Sequence, residues 1–447
     1  MRAKPIAALA LVTVFFLPPV LLAADGTGNG NGTGEKLLSW GIDHRFRSVF
    51  YDNIIKYNDD LDDDRDFFRF RTRFWVDVPL SKSITFFFQL NNEFRKYTTP
   101  DLEVDLDEVI VENFYVDFQK MFGSNFSLRV GRQNLMRGEG LVLFDGNALD
   151  GSRTAYFNAV NLAYDFGKAK LELLGIHNPS QDRFFPRIND KEKPLTEWDE
   201  QALGAYYTDH HLAQTVVETY YFYKKEFNCM YAPTHAQYQP ERRLHTIGGR
   251  VTHLLRKDWT LTGEFAGQWG REHPDRDMTG WAGYAHVKKT FAHDWKPYVK
   301  FGLTAFSGDD PDTAEWEGWD PLFSRWPKWS ELYIYSFVPE KGVAYWSNAT
   351  WWQAEVGFSP LKELSARATY YYVGAFHDFP GTSAIYGGGT HRGSNFQVRL
   401  DYSFSKYVKG HLLYESFMPG DFYSAQDMGY FLRFELCLQY KDIIKPW

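Results

Sequence analysis

From residue 39 onward, apolar and polar residues alternate over short segments separated by turn-forming residues. In segment 68–74 phenylalanines occupy one face and arginines the other. This period of two is typical of a β-strand, in which successive side chains point to opposite faces. Segments 396–402 and 432–436 show the same pattern. The chain therefore predicts strands that are apolar on one side and polar on the other.

Eighteen such segments are predicted along the chain. They span 39–51, 66–79, 83–97, 107–120, 125–133, 153–166, 168–177, 200–208, 213–224, 242–254, 258–271, 278–291, 295–307, 345–358, 364–376, 391–404, 407–418 and 427–440. Most exceed the roughly 9–11 residues that a tilted strand needs to cross a bilayer. The predicted fold is all-β: a transmembrane antiparallel β-barrel of about eighteen strands.

The connections alternate between short and long. Short ones are 80–82, 167, 255–257, 292–294 and 405–406. Long ones are 52–65, 134–152, 178–199, 225–241, 308–344 and 377–390. Outer-membrane barrels have short periplasmic turns and long extracellular loops. A soluble β-sandwich or propeller has no reason to keep this alternation, so the pattern favours the barrel.

The last predicted strand has an apolar face. It consists of Tyr430, Leu432, Phe434, Leu436, Leu438 and Tyr440. An aromatic C-terminal strand resembles the signal that outer-membrane assembly machinery reads, so this machinery is an expected partner. Residues 442–446 place Trp447 beyond the strand, which departs from that signal.

The N-terminus predicts a targeting segment. Arg2 and Lys4 precede an apolar stretch that ends in small residues at 23–24. We expect a signal peptide over 1–24, a flexible periplasmic linker over 25–38 and the barrel over 39–447. The location predicted from this order is the outer membrane of a Gram-negative cell.

Composition narrows the function further. Aromatic residues make up 18% of the chain, yet its mean hydropathy is only −0.44. A formal net charge of −8 gives no support to nucleic-acid binding. The two cysteines, Cys229 and Cys437, predict no disulfide framework, and a bridge between them is not expected because they lie far apart in the predicted barrel.

The predicted lumen is basic. Its candidate pore-lining and anion-binding residues are Arg45, Arg47, Arg69, Arg71, Arg73, Arg95, Arg129, Arg399 and Arg433. An arginine or lysine on the lipid face would cost about 2–4 kcal/mol at mid-membrane, so these groups are expected to face inward. Since the whole chain is acidic, the surplus acid is expected mainly in the loops.

Five of these arginines stand on two adjacent predicted strands: Arg45 and Arg47 on one, Arg69, Arg71 and Arg73 on the next. They outnumber the nearby acids Asp43 and Asp77. Two interpretations remain open. The arginines either form cross-strand ion pairs that stiffen the barrel, or bind carboxylates and make the pore anion-selective.

Two long loops carry candidate chemistry. Asp309, Asp310 and Asp312 are weak candidates for binding calcium, with a solvated acidic loop as the alternative. No other metal site is predicted. Loop 316–335 is rich in tryptophan and tyrosine. Aromatic rings stack on sugars, so the loop is either a polysaccharide track or a plug folded into the barrel.

A glycine-rich motif follows the fifth predicted strand. It comprises Gly131, Arg132, Gln133, Gly138, Gly140, Asp150, Gly151 and Arg153. With Ser307-Gly308-Asp309, this motif resembles the alginate export family of outer-membrane proteins, over residues 39–447. The resemblance implies an eighteen-stranded barrel and a polyuronate that passes through an arginine-rich lumen. The glycines alone equally suit tight turns or an inward-folded loop.

The sequence thus predicts a channel for an anionic polysaccharide or a related anionic or sugar solute, not an enzyme, and no cofactor. An uptake porin for small anions or oligosaccharides is the first alternative. A lipase-type enzyme or a purely structural barrel is the second, although no Gly-x-Ser-x-Gly motif occurs. Further expected partners are outer-membrane lipid, the solute and secretion components of the periplasm.

Overall fold

A computed structural model describes the chain over 37–61, 63–104, 109–144, 156–186, 198–234, 241–273, 275–325, 328–379 and 385–444. The predicted signal peptide, nearly all of the predicted linker, and the motif residues Asp150, Gly151 and Arg153 lie outside these ranges. Within them, eighteen strands form a single antiparallel sheet, as predicted.

The strands in chain order are β1 Leu38–Asp52, β2 Arg65–Pro79, β3 Ile84–Thr99, β4 Val109–Met121, β5 Phe126–Gln133, β6 Phe157–Asp165, β7 Ala169–Asn178, β8 Asp199–Asp209, β9 Thr215–Phe227, β10 Arg242–Arg256, β11 Trp259–His273, β12 Arg276–Thr290, β13 Tyr298–Phe306, β14 Ala349–Phe358, β15 Leu364–Gly374, β16 His391–Ser403, β17 Val408–Pro419 and β18 Gly429–Ile444. A 3₁₀ turn, Tyr333–Phe337, lies between β13 and β14. Among the described residues, no helix has the length and apolarity to cross a membrane.

The sheet is closed. Each strand pairs with its neighbours in sequence, and β1 pairs with both β2 and β18. The β1–β18 ladder runs from Leu38 opposite Ile444 to Asp52 opposite Tyr430. Closure leaves no strand edge unpaired, which is the condition for a sheet to cross hydrocarbon.

The two faces of the wall confirm the predicted alternation. Large apolar side chains are exposed on the outside, with Phe265 at 59% and Trp352 at 54%. Charged side chains on the inside are buried, with Arg47 at 2% and Glu264 at 5%. A protein surrounded by water shows the reverse distribution, so the outer face is suited to lipid. On the predicted apolar face of β18, every residue except the half-buried Leu436 is likewise exposed.

The connections also alternate as predicted. At one end, called here the short-turn end, they are 80–83, 122–125, 166–168, 210–214, 257–258, 291–297, 359–363 and 404–407. The long-loop end carries 53–64, 100–108, 134–156, 179–198, 228–241, 307–348, 375–390 and 420–428. It also carries one tight connection, 274–275, between β11 and β12.

Cys229 and Cys437 are free thiols.

We predict that a charge on the outer face destabilises the barrel according to its depth. Phe265→Arg, halfway along β11, should lower the free energy of unfolding by about 2–4 kcal/mol. Phe404→Arg should cost less than about 1 kcal/mol, because Phe404 lies in the 404–407 turn, although it is equally exposed at 58%. Urea unfolding in vesicles measures both, and equal effects would contradict the assignment of the outer face to lipid.

Candidate functional site

Two segments from the long-loop end fold into the barrel and pack on each other. We call them the plug: 134–144 from the β5–β6 connection, and 307–325 with 328–348 from the β13–β14 connection. The amide of Phe323 donates to the Val142 carbonyl at 3.2 Å, and the Ser324 hydroxyl donates to the Gly140 carbonyl at 2.5 Å. The plug contacts the inward faces of strands on opposite sides of the barrel, as the ion pairs below show.

Aromatic side chains form the core of the plug. Trp319 and Tyr333 are fully buried and Trp346 is 1% exposed, all packed in one cluster with wall residues such as Trp351. Trp346 and Trp351 pack edge-on with ring centroids 5.8 Å apart. Of the two roles that the sequence left open for loop 316–335, the structure shows the plug. Trp326 lies outside the described residues.

Asp320 anchors the plug to β10 and β11. Its carboxylate lies 3.0 Å from the Arg242 guanidinium, and its backbone exchanges two hydrogen bonds of 2.9 Å with the Gln268 side chain. Lys224 on β9 donates to the Leu322 carbonyl at 2.7 Å and also pairs with Glu226 at 2.7 Å. These charges are almost completely buried and satisfied, which holds this side of the plug in one position.

Acids and arginines anchor the opposite side. Glu415 on β17 accepts hydrogen bonds from the Ser330 hydroxyl at 2.5 Å and from the backbone amides of residues 331 and 332 at 3.0 and 3.3 Å. Arg392 on β16 makes a bidentate pair with Glu340 at 2.7 and 2.8 Å. The plug is therefore tied to both sides of the wall.

The five-arginine group predicted on two adjacent strands lies on β1 and β2. Arg45 stands opposite Arg71, and Arg47 opposite Arg69. Arg69 in turn stands opposite Arg95 on β3. The guanidiniums of Arg69 and Arg95 both lie over the Phe67 ring, at 5.8 and 5.4 Å. The arginines thus form cross-strand rows on the inner face.

These arginines have more acidic partners than Asp43 and Asp77, so the predicted excess of arginines over nearby acids is wrong. Three further carboxylates reach the group, from β3, β4 and β18. The pairs are Arg45–Glu93 at 3.3 Å, Arg47–Glu435 at 2.5 Å, Arg69–Glu93 at 2.9 Å, Arg71–Asp43 at 3.3 Å and Arg73–Glu112 at 2.9 Å. The ion-pair interpretation therefore describes this group.

Glu112 points inward because β4 contains a bulge. Gln89 stands opposite Asn113 but Leu90 stands opposite Val111, so Glu112 has no partner in the ladder. By strict alternation Glu112 would face lipid. The extra residue reverses the faces instead, and Glu112 is fully buried. It accepts hydrogen bonds from Arg73, Gln89 and Asn91.

Three of the other predicted pore arginines also contact acids, whereas Arg95 donates to the Tyr97 hydroxyl at 3.1 Å. Arg129 pairs with Asp117 at 2.9 Å, and Arg399 with Asp401 at 2.8 Å. Arg433 reaches the plug residue Glu331 at 2.6 Å. Of these, Arg129 lies nearest the short-turn end, and its side chain is 36% exposed.

Arg132 of the motif lies on the outside of the barrel. It shares a face of β5 with Val130, which is 40% exposed. Its guanidinium makes a bidentate pair with Asp182 at 2.7 Å and lies 4.4 Å from the Phe185 ring. Arg132 therefore holds segment 179–186 against the outer wall. Its neighbour Gln133 faces inward and donates to the Ala159 carbonyl at 3.0 Å.

The motif glycines allow the plug to approach the wall. Gly138 has a φ of +56°, and a Cβ there would lie 2.9 Å from the Arg250 side chain on β10. Gly140 has a φ of +77° and is covered by Phe144. Gly131, at φ +125°, lies against the Phe114 carbonyl. Only glycine fits such positions, so Gly138 and Gly140 match the inward-folded loop that the sequence offered as one explanation, while Gly131 allows β4 and β5 to approach closely.

The acidic loop residues have structural roles. Arg276 pairs with Asp309 at 3.2 Å, and the Glu317 amide donates to Asp309 at 3.0 Å. Asp310 accepts from the amide of Asp312 at 3.0 Å. Within the described ranges, no three carboxylate, histidine or cysteine side chains are grouped to bind a metal ion.

A polar cavity lies between the plug and strands β12–β16. Its volume is about 150 Å³, and its lining includes Lys300, Lys328, Arg367, Trp329, Gln353, Gln397 and Glu355. Lys288 stands opposite Lys300, and Arg367 opposite Arg399, while Glu355 on the intervening strand β14 stands opposite Lys300. Alternation within the strands already predicts that Lys300, Arg367 and Glu355 face inward, but it does not place Lys328, which comes from a loop that only the fold brings to the wall.

Two plug residues of opposite charge, Lys328 and Glu139, line this cavity. Burial lowers the pKa of Lys328 to about 8, although Glu139 and Glu264 favour its charged form. Burial also opposes ionisation of Glu139, but the hydrogen bond from His286 at 2.8 Å and the nearby lysines lower its pKa to about 2. Lys328 is therefore charged at pH 7 and neutral well above pH 8.

A family model described as "Alginate export" matches residues 36–432. No curated protein matches the sequence. The fold is similar to that of solved porins. OccK7 (OpdD) of Pseudomonas aeruginosa aligns with a TM-score of 0.56 at 10% identity, over 92% of this chain and 100% of that one.

Two further structures show the same likeness. OccK2 (OpdF) of Pseudomonas aeruginosa has a TM-score of 0.58 at 11% identity, over 90% of this chain and 98% of its own. OccAB4 of Acinetobacter baumannii has a TM-score of 0.55 at 13% identity, over 92% and 99%. At such identities the likeness establishes the fold alone.

We predict that Arg73→Met destabilises the barrel strongly, by about 3 kcal/mol, because it leaves Glu112 charged and buried. Arg73→Met/Glu112→Gln should recover most of this loss, since the amide oxygen can still accept from Gln89 and Asn91. Arg129→Met is the matched control, and its more exposed pair should be worth at most about 1 kcal/mol. Unfolding in urea compares the three, and an additive double variant would contradict the assigned pair.

The plug should restrict the pore through its anchors. Glu415→Ala leaves the Ser330 hydroxyl and two backbone amides without their acceptor, so we expect larger and noisier single-channel conductance. Glu363→Ala, in the exposed 359–363 turn, is the control. Planar-bilayer recording measures both, and identical traces for the two variants would show that these anchors do not limit conductance.

Proposed function

The chain belongs to the alginate export family, and we propose that it is an outer-membrane channel that passes an anionic polysaccharide or a related carboxylated sugar. Its family and its porin-type barrel favour a channel over an enzyme. The outer membrane is the location consistent with both.

The observation that carries the proposal is the cavity between the plug and β12–β16. Lys300, Lys328 and Arg367 supply three positive charges against the two carboxylates of Glu139 and Glu355, so the cavity where the solute would lie has a basic excess. Gln353 and Gln397 supply amides that bind sugar hydroxyls, and Trp329 supplies a ring face. Cations that favour carboxylates, together with amides and an aromatic ring, suit an acidic sugar better than a small inorganic anion.

The five-arginine group lies on other strands, β1 and β2. Its side chains are largely buried and ion-paired, so we assign it mainly to the stability of the wall. Among the structural neighbours, OccK2 (OpdF) was also solved in complex with glucuronate, at 12% identity and a TM-score of 0.55. A barrel of this kind can therefore bind a sugar carboxylate, which supports the proposed solute class.

Uptake of small anions or oligosaccharides remains the second candidate. The plug favours it, because a polymer requires a wider path than the cavity of about 150 Å³ provides unless the plug moves. The two candidates differ in whether a long oligouronate enters the pore and blocks the current.

The test is current block in planar bilayers by oligouronates of increasing length, against neutral oligosaccharides of the same length. We expect acidic chains to block at concentrations about tenfold lower than neutral ones, and Lys300→Gln/Arg367→Gln to remove that difference. Lys362→Gln/Lys406→Gln, in exposed turns, is the control pair. Equal block by neutral and acidic chains would contradict the proposal.

Anion preference should also depend on pH through Lys328. This lysine carries its charge below about pH 8 and loses it above, so reversal potentials should shift toward lower anion preference between pH 7 and pH 9.5. Lys328→Gln should lack that shift. If the variant keeps the full pH dependence, Lys328 does not face the permeating solute.

A further inference from the structure

A basic row crosses the outer face of the barrel at its long-loop end. Lys225 on β9 stands opposite Arg243 on β10, which stands opposite Arg271 on β11. Their sequence neighbours Lys224 and Arg242 are buried inside the barrel, so by alternation the row faces outward. Adjacent strands are about 4.8 Å apart, so the three cations span roughly 10 Å along the rim.

Like charges directly opposite each other destabilise a sheet unless anions lie close to them. Glu241 lies 3.9 Å from Lys225, and Asp277 lies 3.5 Å from Arg271. Within the described part of the chain, no carboxylate lies within ion-pair distance of Arg243. The centre of the row is thus a place where an external anion would stabilise the protein.

An apolar groove of about 820 Å³ begins beside this row. Its floor is the next cross-strand row on the same outer face: Val130, Val160, Gly175, Leu203 and Tyr223 stand opposite one another in register. Gly175 leaves the depression, because a Cβ there would meet only the Leu203 side chain, at 3.8 Å. The groove is continuous with the lipid-facing wall.

Segment 179–186 forms one side of the groove. The buried Arg132–Asp182 pair holds this segment against the wall, and Phe184 and Phe185 line the groove. Lys225, His177 and Gln201 line its polar rim, with Gln201 standing opposite both His177 and Lys225. One end of the groove is thus polar and basic and the rest apolar, which is the profile of a lipid with an anionic headgroup.

We propose that this groove binds one molecule of the phosphorylated, multi-acylated glycolipid of the outer leaflet. An acyl chain lies over Gly175, and the phosphates lie along Lys225, Arg243 and Arg271. Its position at the long-loop end, level with the outer-leaflet headgroups, favours this lipid over a phospholipid. A cation row about 10 Å long also suits a headgroup with two phosphates. The inference is independent of what the lumen carries.

The test is native mass spectrometry of the whole barrel in detergent, titrated with bisphosphorylated lipid A, its monophosphorylated form and phosphatidylglycerol. We expect one bisphosphorylated molecule to bind about tenfold more tightly than phosphatidylglycerol. Gly175→Leu fills the groove and should weaken this binding at least about tenfold. Gly267→Leu is the matched control, on the outer face of β11 with nothing within 4 Å of a Cβ.

The headgroup contact has its own variant. Lys225→Gln/Arg243→Gln should weaken binding of the bisphosphorylated lipid by about tenfold or more. It should also reduce the difference in affinity between the bisphosphorylated and the monophosphorylated lipid. Lys362→Gln/Lys406→Gln, at the short-turn end, should change neither. Heat-modifiable migration on gels shows that each variant is folded. Equal effects of Gly175→Leu and Gly267→Leu, or equal binding of phosphatidylglycerol, would overturn the proposal.

Discussion

A bilayer offers no water to backbone amides, so the ladder between β1 and β18 has to complete a wall in which every strand is paired on both sides. Closure then forces successive side chains to divide between hydrocarbon and the interior. Phe265 and Trp352 are exposed on one face, and Arg47 and Glu264 are buried on the other. The ion pairs, the bulge and the plug follow from how the interior accommodates these buried charged side chains.

The interior does so in two ways. Along β1–β4, arginines and carboxylates pair across strands, and a bulge turns Glu112 inward to meet Arg73. Around β9–β17 the plug supplies further partners: Asp320 for Arg242, Glu340 for Arg392 and hydrogen-bond donors for Glu415. Lys300 and Arg367 line the cavity beside the plug, where the proposed solute would lie.

Periodicity was enough to predict the strands and their faces, because alternation within a strand is a local property. Strict alternation places Glu112 on the wrong face, because a bulge depends on the pairing with the neighbouring strand and not on the local sequence alone. The outward position of Arg132 follows from plain alternation with Arg129, but its partner Asp182 comes from a distant loop. One sequence feature indicated the plug. Its loop contains tryptophans such as Trp319 and Trp346, which a solvated loop would leave exposed to water.

The division of side chains between lipid and lumen is tested most directly by spin labels at consecutive positions of β16: Phe396, Gln397, Val398 and Arg399. In a background of Cys229→Ser/Cys437→Ser, each position is changed in turn to a labelled cysteine in lipid vesicles. Collisions with oxygen and with a water-soluble nickel chelate are then measured. The account predicts strict alternation, with oxygen favoured at 396 and 398 and the chelate at 397 and 399. A uniform profile, or one with a period near 3.6, would contradict it.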